Sequence, residues 1–208
     1  MGLKHQAASA RKWRAAIRQV ETHFPEHLPP LLFLTDPDRI ADPTLIIDRL
    51  PTGSGVIYRH FGAPDRQQIA EKLCLLCRRR DLYLMIAADP HLARSIHADG
   101  VHWPERLLCQ SRKWRGRFAL QTASAHSVNA VRRAASAGMD AALLSTVFLS
   151  SSKSAGSPIG VTRFRRLSHR TDIPVYALGG VSATNAQSVA TVGGLATVTG
   201  VSTANSDS

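Results

Sequence analysis

From Leu31 onward, short aliphatic or β-branched runs alternate with longer stretches whose apolar residues fall at helical spacing. Eight apolar runs stand out: Leu31 to Asp36, Ser54 to His60, Leu82 to Ala87, Gly100 to Trp103, Phe118 to Ala123, Ala141 to Val147, Pro174 to Gly180 and Leu195 to Val201. Helix start signals lie between them. Pro64-Asp65 opens Arg66 to Arg80, Asp89-Pro90 opens His91 to His97, and Ser127 opens Val128 to Gly138. Strand and helix repeated in this order predict a parallel sheet. Strands that are apolar throughout are buried on both faces. Closing eight of them into a (β/α)8 barrel satisfies that burial, although a span of about 170 residues is short for the fold. An open doubly wound sheet is the alternative.

The two ends depart from a regular barrel. Beyond Val201 only Ser202 to Ser208 remain, too few and too polar for the eighth helix that should cover the seam between last and first strands. Ahead of the first strand, Ala7 to Phe24 reads as a basic amphipathic helix, with Trp13, Ile17, Val20 and Phe24 on one face. The expected organisation is therefore residues 1–30 as helix and lead-in and residues 31–208 as a single barrel domain. The extra first helix would cover what the missing last one leaves bare; a basic arm with no fixed seat is the other reading of that segment.

Composition narrows the class. Hydrophobic residues make up 44% of the 208 and charged residues 20%, with a mean hydropathy of −0.10, which is ample for one packed core. No apolar run approaches the roughly 18 to 20 residues that cross a bilayer. The opening Met1 to His5 also lacks the apolar core of a signal peptide, so a cytoplasmic protein with no membrane partner is expected. Three cysteines fit a reducing compartment. Two of them, Cys74 and Cys77, share a helical run with Ile69, Leu73 and Leu76, which predicts a packed pair in place of a zinc site.

With 26 basic residues against 15 acidic ones, a net charge of +11 and a pI near 10.6, an anionic partner is expected. The arginines are scattered over Arg11 to Arg18, Arg78 to Arg80, Arg112 to Arg117 and Arg163 to Arg170, in the manner of solvated helix faces. No zinc-finger, homeodomain or RNP-like pattern accompanies them, which disfavours nucleic acid. A small phosphorylated ligand accounts for the positive field equally well.

In a parallel barrel the chemistry collects where strands end at their C-termini. Those positions hold Asp36 after the first strand, Arg59 and His60 after the second, Ala87 and Ala88 after the third, and His102 at the end of the fourth. The fifth leads through Thr122 and Ser124 to His126, and the sixth opens into Ser150, Ser151, Ser152 and Lys153. Gly179-Gly180 follow the seventh strand, and Gly200 and Ser202 the eighth, where close backbone approach suits a phosphate. A guanidinium at a strand end, as at Arg59, can pair a phosphate or carboxylate. His60 and His102 either flank a ligand or pack at the mouth, and a glycine pair is alternatively a tight turn.

Several segments together resemble the thiamine-phosphate synthase and TenI family of (β/α)8 barrels, over nearly everything from Leu31 to Val201. They are Leu32-Phe33-Leu34-Thr35-Asp36, Ala98-Asp99-Gly100-Val101-His102, Ser124-Ala125-His126-Ser127, Thr146-Val147-Phe148 through Lys153, and Ile173 to Val181 with Asn185. The resemblance implies a cytoplasmic enzyme of thiamine biosynthesis, with a homodimer as a further possibility. The synthases join a pyrimidine diphosphate to a thiazole phosphate, and their Mg2+ rests on two aspartates. At those positions this chain carries Ala87, Ala88 and Leu107, and Phe61 replaces the basic residue two positions after Arg59. A metal here would have to rest on Asp36, Asp89 or Glu105.

What the resemblance retains is the part that holds a phosphorylated thiazole: Gly179, Gly180, Gly200 and Ser202, with Arg59, Ser150, Ser152 and Lys153. TenI-type thiazole tautomerases likewise lack the magnesium carboxylates, and Trp103-Pro104 is similar to them. In that family the histidine of the Ser-x-His-Ser segment, His126 here, is proposed to move the ring proton. The expectation is a TenI-like enzyme with no obligatory cofactor and His126 as its acid/base, a capping histidine being the bland reading. Asp36 is the one carboxylate expected to compete with it at the mouth. The alternatives are a synthase with displaced ligands, needing Mg2+, and a catalytically silent binder of a phosphorylated metabolite.

Overall fold

The structure, a computed structural model, describes residues 2–150 and 156–199, with side chains from residue 7 onward. Eight parallel strands form a closed barrel in sequence order: β1 (Leu31–Leu34), β2 (Gly55–Tyr58), β3 (Tyr83–Ala87), β4 (Gly100–Trp103), β5 (Leu120–Ala125), β6 (Ala141–Leu144), β7 (Val175–Ala177) and β8 (Gly194–Thr197). The ring closes by β1 pairing β8, with Leu31 opposite Leu195 and Phe33 opposite Thr197. This settles the fold in favour of the barrel over an open sheet.

The helices are α1 (Gly2–Glu21), α2 (Thr44–Ile47), α3 (Arg66–Arg79), α4 (Pro90–Ser95), α5 (Val128–Ser136), α6 (Gly160–Ser168) and α7 (Ala186–Val189), with a 3-10 helix over Glu105–Trp114. Two of the expected starts hold as chemistry: Asp89 Oδ1 accepts the Leu92 N–H at 2.9 Å and Ser127 Oγ that of Ala130 at 3.1 Å. Asp65 makes no such bond, so α3 begins without a side-chain cap. Among the described residues no helix is long and apolar enough to cross a membrane.

Only β4 keeps the bounds of its apolar run, and at three other strands the difference has a local reason. Phe118 lies outside β5 and packs against the Trp114 ring at 5.8 Å, which leaves Leu120–Ala125 to pair. The run from Pro174 yields only Val175–Ala177, because Gly179 and Gly180 take positive φ of 90° and 65° and turn the chain. Val147 lies beyond β6, but its N–H still donates to Leu178 O at 2.9 Å, so the ladder frays into the loops gradually.

The register puts Arg59, Ala87, His102, Thr122, Ser124, Ser145 and Leu178 on one face of the sheet. That face is the interior. A cavity bounded by Arg59, Ser145, Leu178 and Val198 joins residues from opposite parts of the ring, at the mouth of that interior. The opposite end of the barrel is stoppered: the Tyr176 hydroxyl donates to Pro29 O at 2.7 Å, and the Phe24 ring meets Tyr176 edge-on at 5.0 Å.

The first helix takes the expected seat. Trp13, Ile17, Val20 and Phe24 are all buried, and α1 packs against α7 and β8. Residues 200–208, on which the expectation of a missing last helix rests, lie outside the described residues. Cys74 and Cys77 are buried free thiols of α3, and burial pushes Cys77 up to about 12, which makes it a poor thiolate source.

If α1 is part of the core, truncating its largest anchor should cost as much as a core truncation. Trp13→Ala is expected to lower unfolding stability by about 3 to 5 kcal/mol, measured by urea denaturation. A change below about 1 kcal/mol would place α1 outside the cooperative unit.

Candidate active site

Two hollows open at the C-terminal mouth, and the sequence-predicted residues divide between them. The first, about 180 Å3, is lined by Arg39, Arg59, Ser145, Ser150, Gly179, Gly180 and Thr197 among others. Arg59 is fixed from its backbone outward: its N–H donates to Thr35 Oγ1 at 2.9 Å and its Nε to Thr35 O at 2.8 Å. Its Nη2 lies 3.6 Å from Asp36, which also meets Arg39 Nε at 3.5 Å. Burial lowers the Arg59 pKa and Asp36 opposes that shift. Asp36 is therefore not the unpaired carboxylate expected from the sequence; two arginines hold it.

The glycine turn is imposed twice over. Besides the positive φ angles, a Cβ on Gly179 would come within 2.8 Å of Thr146 Cγ2, and one on Gly180 within 2.9 Å of Phe148 Cβ. Carbonyls in the turn are anchored: Gly179 O accepts from Phe148 N at 3.0 Å and Gly180 O from Asn185 Nδ2 at 2.9 Å. Asn185 Oδ1 in turn accepts the Ser182 N–H at 2.8 Å. Among the described residues, no acceptor takes the Gly180 or Val181 N–H. Backbone donors with fixed carbonyls behind them have the chemistry to receive an anion, and the Arg59 guanidinium lines the same cavity.

The second hollow, about 510 Å3, is lined by Pro104, Glu105, Arg106, Ser124, His126 and Arg133. His126 Nδ1 lies 2.9 Å from Glu105 Oε2, and its backbone N–H points to the same oxygen at 3.2 Å. Arg133 holds the other oxygen. Burial pulls Glu105 upward, but the His126 ring and backbone hydrogen bonds, with the charges of His126 and Arg133, outweigh it and keep the carboxyl below its usual range. A carboxylate only accepts, so Nδ1 carries the proton and Nε2 is the open nitrogen. Ser127, not His126, caps α5. Glu105, entered in the sequence only as a stand-in metal ligand, is the partner that sequence reasoning missed; it lies 21 residues from His126, on the far side of a strand.

Between the hollows sits His102, fully buried. Its Nδ1 meets Thr122 Oγ1 at 2.9 Å and its Nε2 meets Ser124 Oγ at 2.8 Å. Burial first, and then the charge of Arg59, push it down to about 3, so it is a neutral linker and no acid/base. His60 is buried on the helix-facing side with its ring 4.9 Å from Tyr58, and burial together with Arg66 lowers its pKa. Neither histidine lines either hollow. Ser152, Lys153, Gly200 and Ser202 lie outside the described residues.

Residues 33–203 match the family model described as thiamine monophosphate synthase. The chain belongs to the thiamine monophosphate synthase family. A thiamine-phosphate synthase of Haloarcula marismortui is 30% identical over 172 residues, covering 77% of this chain and 82% of that one. One of Chloroflexus aurantiacus is 32% identical over 153 residues, 70% of each. In structure, a thiamine phosphate pyrophosphorylase from Pyrococcus furiosus superposes with a TM-score of 0.71 at 23% identity, over 85% of this chain and 88% of that one, a likeness of fold.

Members of this family that make thiamine phosphate use Mg2+, and the residues present here do not fit it. Ala87, Ala88 and Leu107 offer no oxygen ligand. The substitutes are engaged elsewhere: Asp36 by two arginines, Asp89 as the α4 cap with Arg66 3.9 Å away, and Glu105 by His126 and Arg133. Among the described residues no three His, Cys, Asp or Glu side chains form a metal-holding group. Ala88 nonetheless takes φ +60°, a backbone state that Asn and Asp adopt more readily than alanine.

The depressed Glu105 pKa sets a pH signature. Its contribution to stability is present in full above the ordinary value of 4.5 and is lost as pH falls through the lower folded value. Glu105→Gln is expected to be less stable than wild type at about pH 6, with the gap closing toward about pH 3; urea midpoints across that range measure it, and a gap independent of pH would contradict the assignment.

Proposed function

We propose that this protein is a thiazole tautomerase of the TenI type, an isomerase that binds a thiazole phosphate and moves one proton without a metal. The observation that carries this reading is the His126–Glu105 pair at the end of β5, with Nε2 open in a hollow beside the anion cavity. Support for the phosphate anchor comes from Arg59, Ser150, Gly179 and Gly180 lining the other hollow. Ser152, Lys153, Gly200 and Ser202 are assigned to the same anchor from the sequence.

In this reaction Nε2 takes the proton from the ring carbon while Glu105 stabilises the imidazolium through Nδ1–H. The same proton, or one exchanged with water, returns to the other end of the unsaturated system and leaves an aromatic thiazole. Atoms and charge balance without a co-reactant. A histidine held in one tautomer by a carboxylate is suited to such a shuttle.

The names of the relatives favour a second reading, synthesis of thiamine phosphate, and two assays separate them. Proton exchange into thiazole carboxylate phosphate, followed by NMR in deuterium oxide, should fall by a factor of about 10² to 10⁴ in His126→Ala while phosphate-driven affinity stays nearly intact. Arg59→Ala should do the reverse, weakening binding about tenfold or more. Robust thiamine phosphate formation from pyrimidine diphosphate, thiazole phosphate and Mg2+ would overturn the proposal in favour of the synthase. Binding without exchange would make the protein a silent receptor of a phosphorylated metabolite.

A further inference from the structure

On the barrel wall, α5 and α6 flank a groove of about 440 Å3, separate from the two hollows of the mouth though its Val128 lies two residues from His126. Its floor is Val128, Ile159 and Leu167, and its rim is Arg132, Arg163, Arg166 and Arg170. All four arginines are exposed, and none has an ion-pair or hydrogen-bond partner among the described residues. No acidic residue lines the groove. Three of the arginines lie at helical spacing on or just beyond α6, the fourth faces them from α5, and the surface between them is Val128, Ile159 and Leu167 with one hydroxyl, that of Thr162. Elsewhere, arginines on this wall are used structurally, as where Arg165 donates to Ser188 O at 3.0 Å.

We propose that this groove docks an acidic amphipathic helix of a partner protein, its apolar stripe on Val128, Ile159 and Leu167 and its flanking carboxylates on the four arginines. Charge complementarity selects the partner. Guanidiniums without counter-charges pair carboxylates bidentately, and arginine is favoured among residues that carry interface affinity. An apolar floor between two helices is the shape that accepts a helix. Single-stranded nucleic acid is disfavoured because no aromatic ring lines the groove to stack a base. A second copy is disfavoured because each chain carries a net +11.

The test uses the full chain and a fluorescein-labelled 16-residue peptide with leucines on one helical face and glutamates flanking them. Controls are a scrambled peptide of the same composition and a 16-nucleotide single-stranded RNA. Anisotropy titration should show the patterned peptide binding at least about tenfold more tightly than the scrambled one, with affinity falling as salt is raised. Arg163→Glu with Arg166→Glu, and separately Arg132→Glu, should each cost about tenfold. Ile159→Ser should weaken the peptide without changing the salt slope. Arg11→Glu with Arg14→Glu, on α1, should leave binding unchanged, and proton exchange at the mouth should be unaffected throughout. Equal binding of both peptides, or no effect of the groove variants, would overturn the proposal. So would tighter binding of RNA that is indifferent to Ile159→Ser, or a groove-dependent dimer seen by light scattering.

Discussion

No strand in this barrel is longer than six residues and β7 has only three, so none can persist except as a member of the closed ring. Closure between β1 and β8 removes the last pair of open edges, and the bond from Tyr176 to Pro29 ties residues 147 apart in sequence across the floor. Everything at the mouth inherits its position from that ring. Arg59 is aimed inward because β2 keeps register with β1 through Thr35, and the glycine turn approaches Thr146 because β7 lies beside β6.

The proposed reaction would divide two tasks between the two hollows of the mouth, holding a phosphate and moving a proton. A cation strong enough to hold a phosphate also disfavours protonation of a nearby imidazole, and at His102 the charge of Arg59 adds to the larger effect of burial. His126 lies in a different hollow, with a carboxylate against one nitrogen, and His102 and Ser124 bridge the interval. In the proposed reaction this arrangement would anchor charge on one side and leave proton chemistry to the other.

Much of this was legible in the sequence. Alternating apolar runs gave the eight strands, because a strand buried on both faces has no polar positions to disguise it, and the 3.6-residue spacing of Trp13, Ile17 and Val20 identified α1 as a packed helix. The glycine pair was readable because φ near +65° to +90° admits few other residues. Partners across loops were hidden. Nothing in the spacing of Glu105, His126 and Arg133 marks them as neighbours, since the barrel curvature brings the ends of β4 and β5 together only after folding. Arg39 and its bridge to Arg59 through Asp36 were hidden for the same reason. His60 and His102 could not be told apart from ligands until parity around the ring placed one against the helices and buried the other inside.

Ala88 sits in a backbone state that its side chain does not favour. Its left-handed backbone costs an alanine about 1 kcal/mol that glycine or asparagine would be spared, yet its N–H is held on His102 O at 2.9 Å and cannot easily relax. The loop after β3 thus holds a bend that glycine or a short polar side chain would occupy at lower cost, and the packing around it meets that cost.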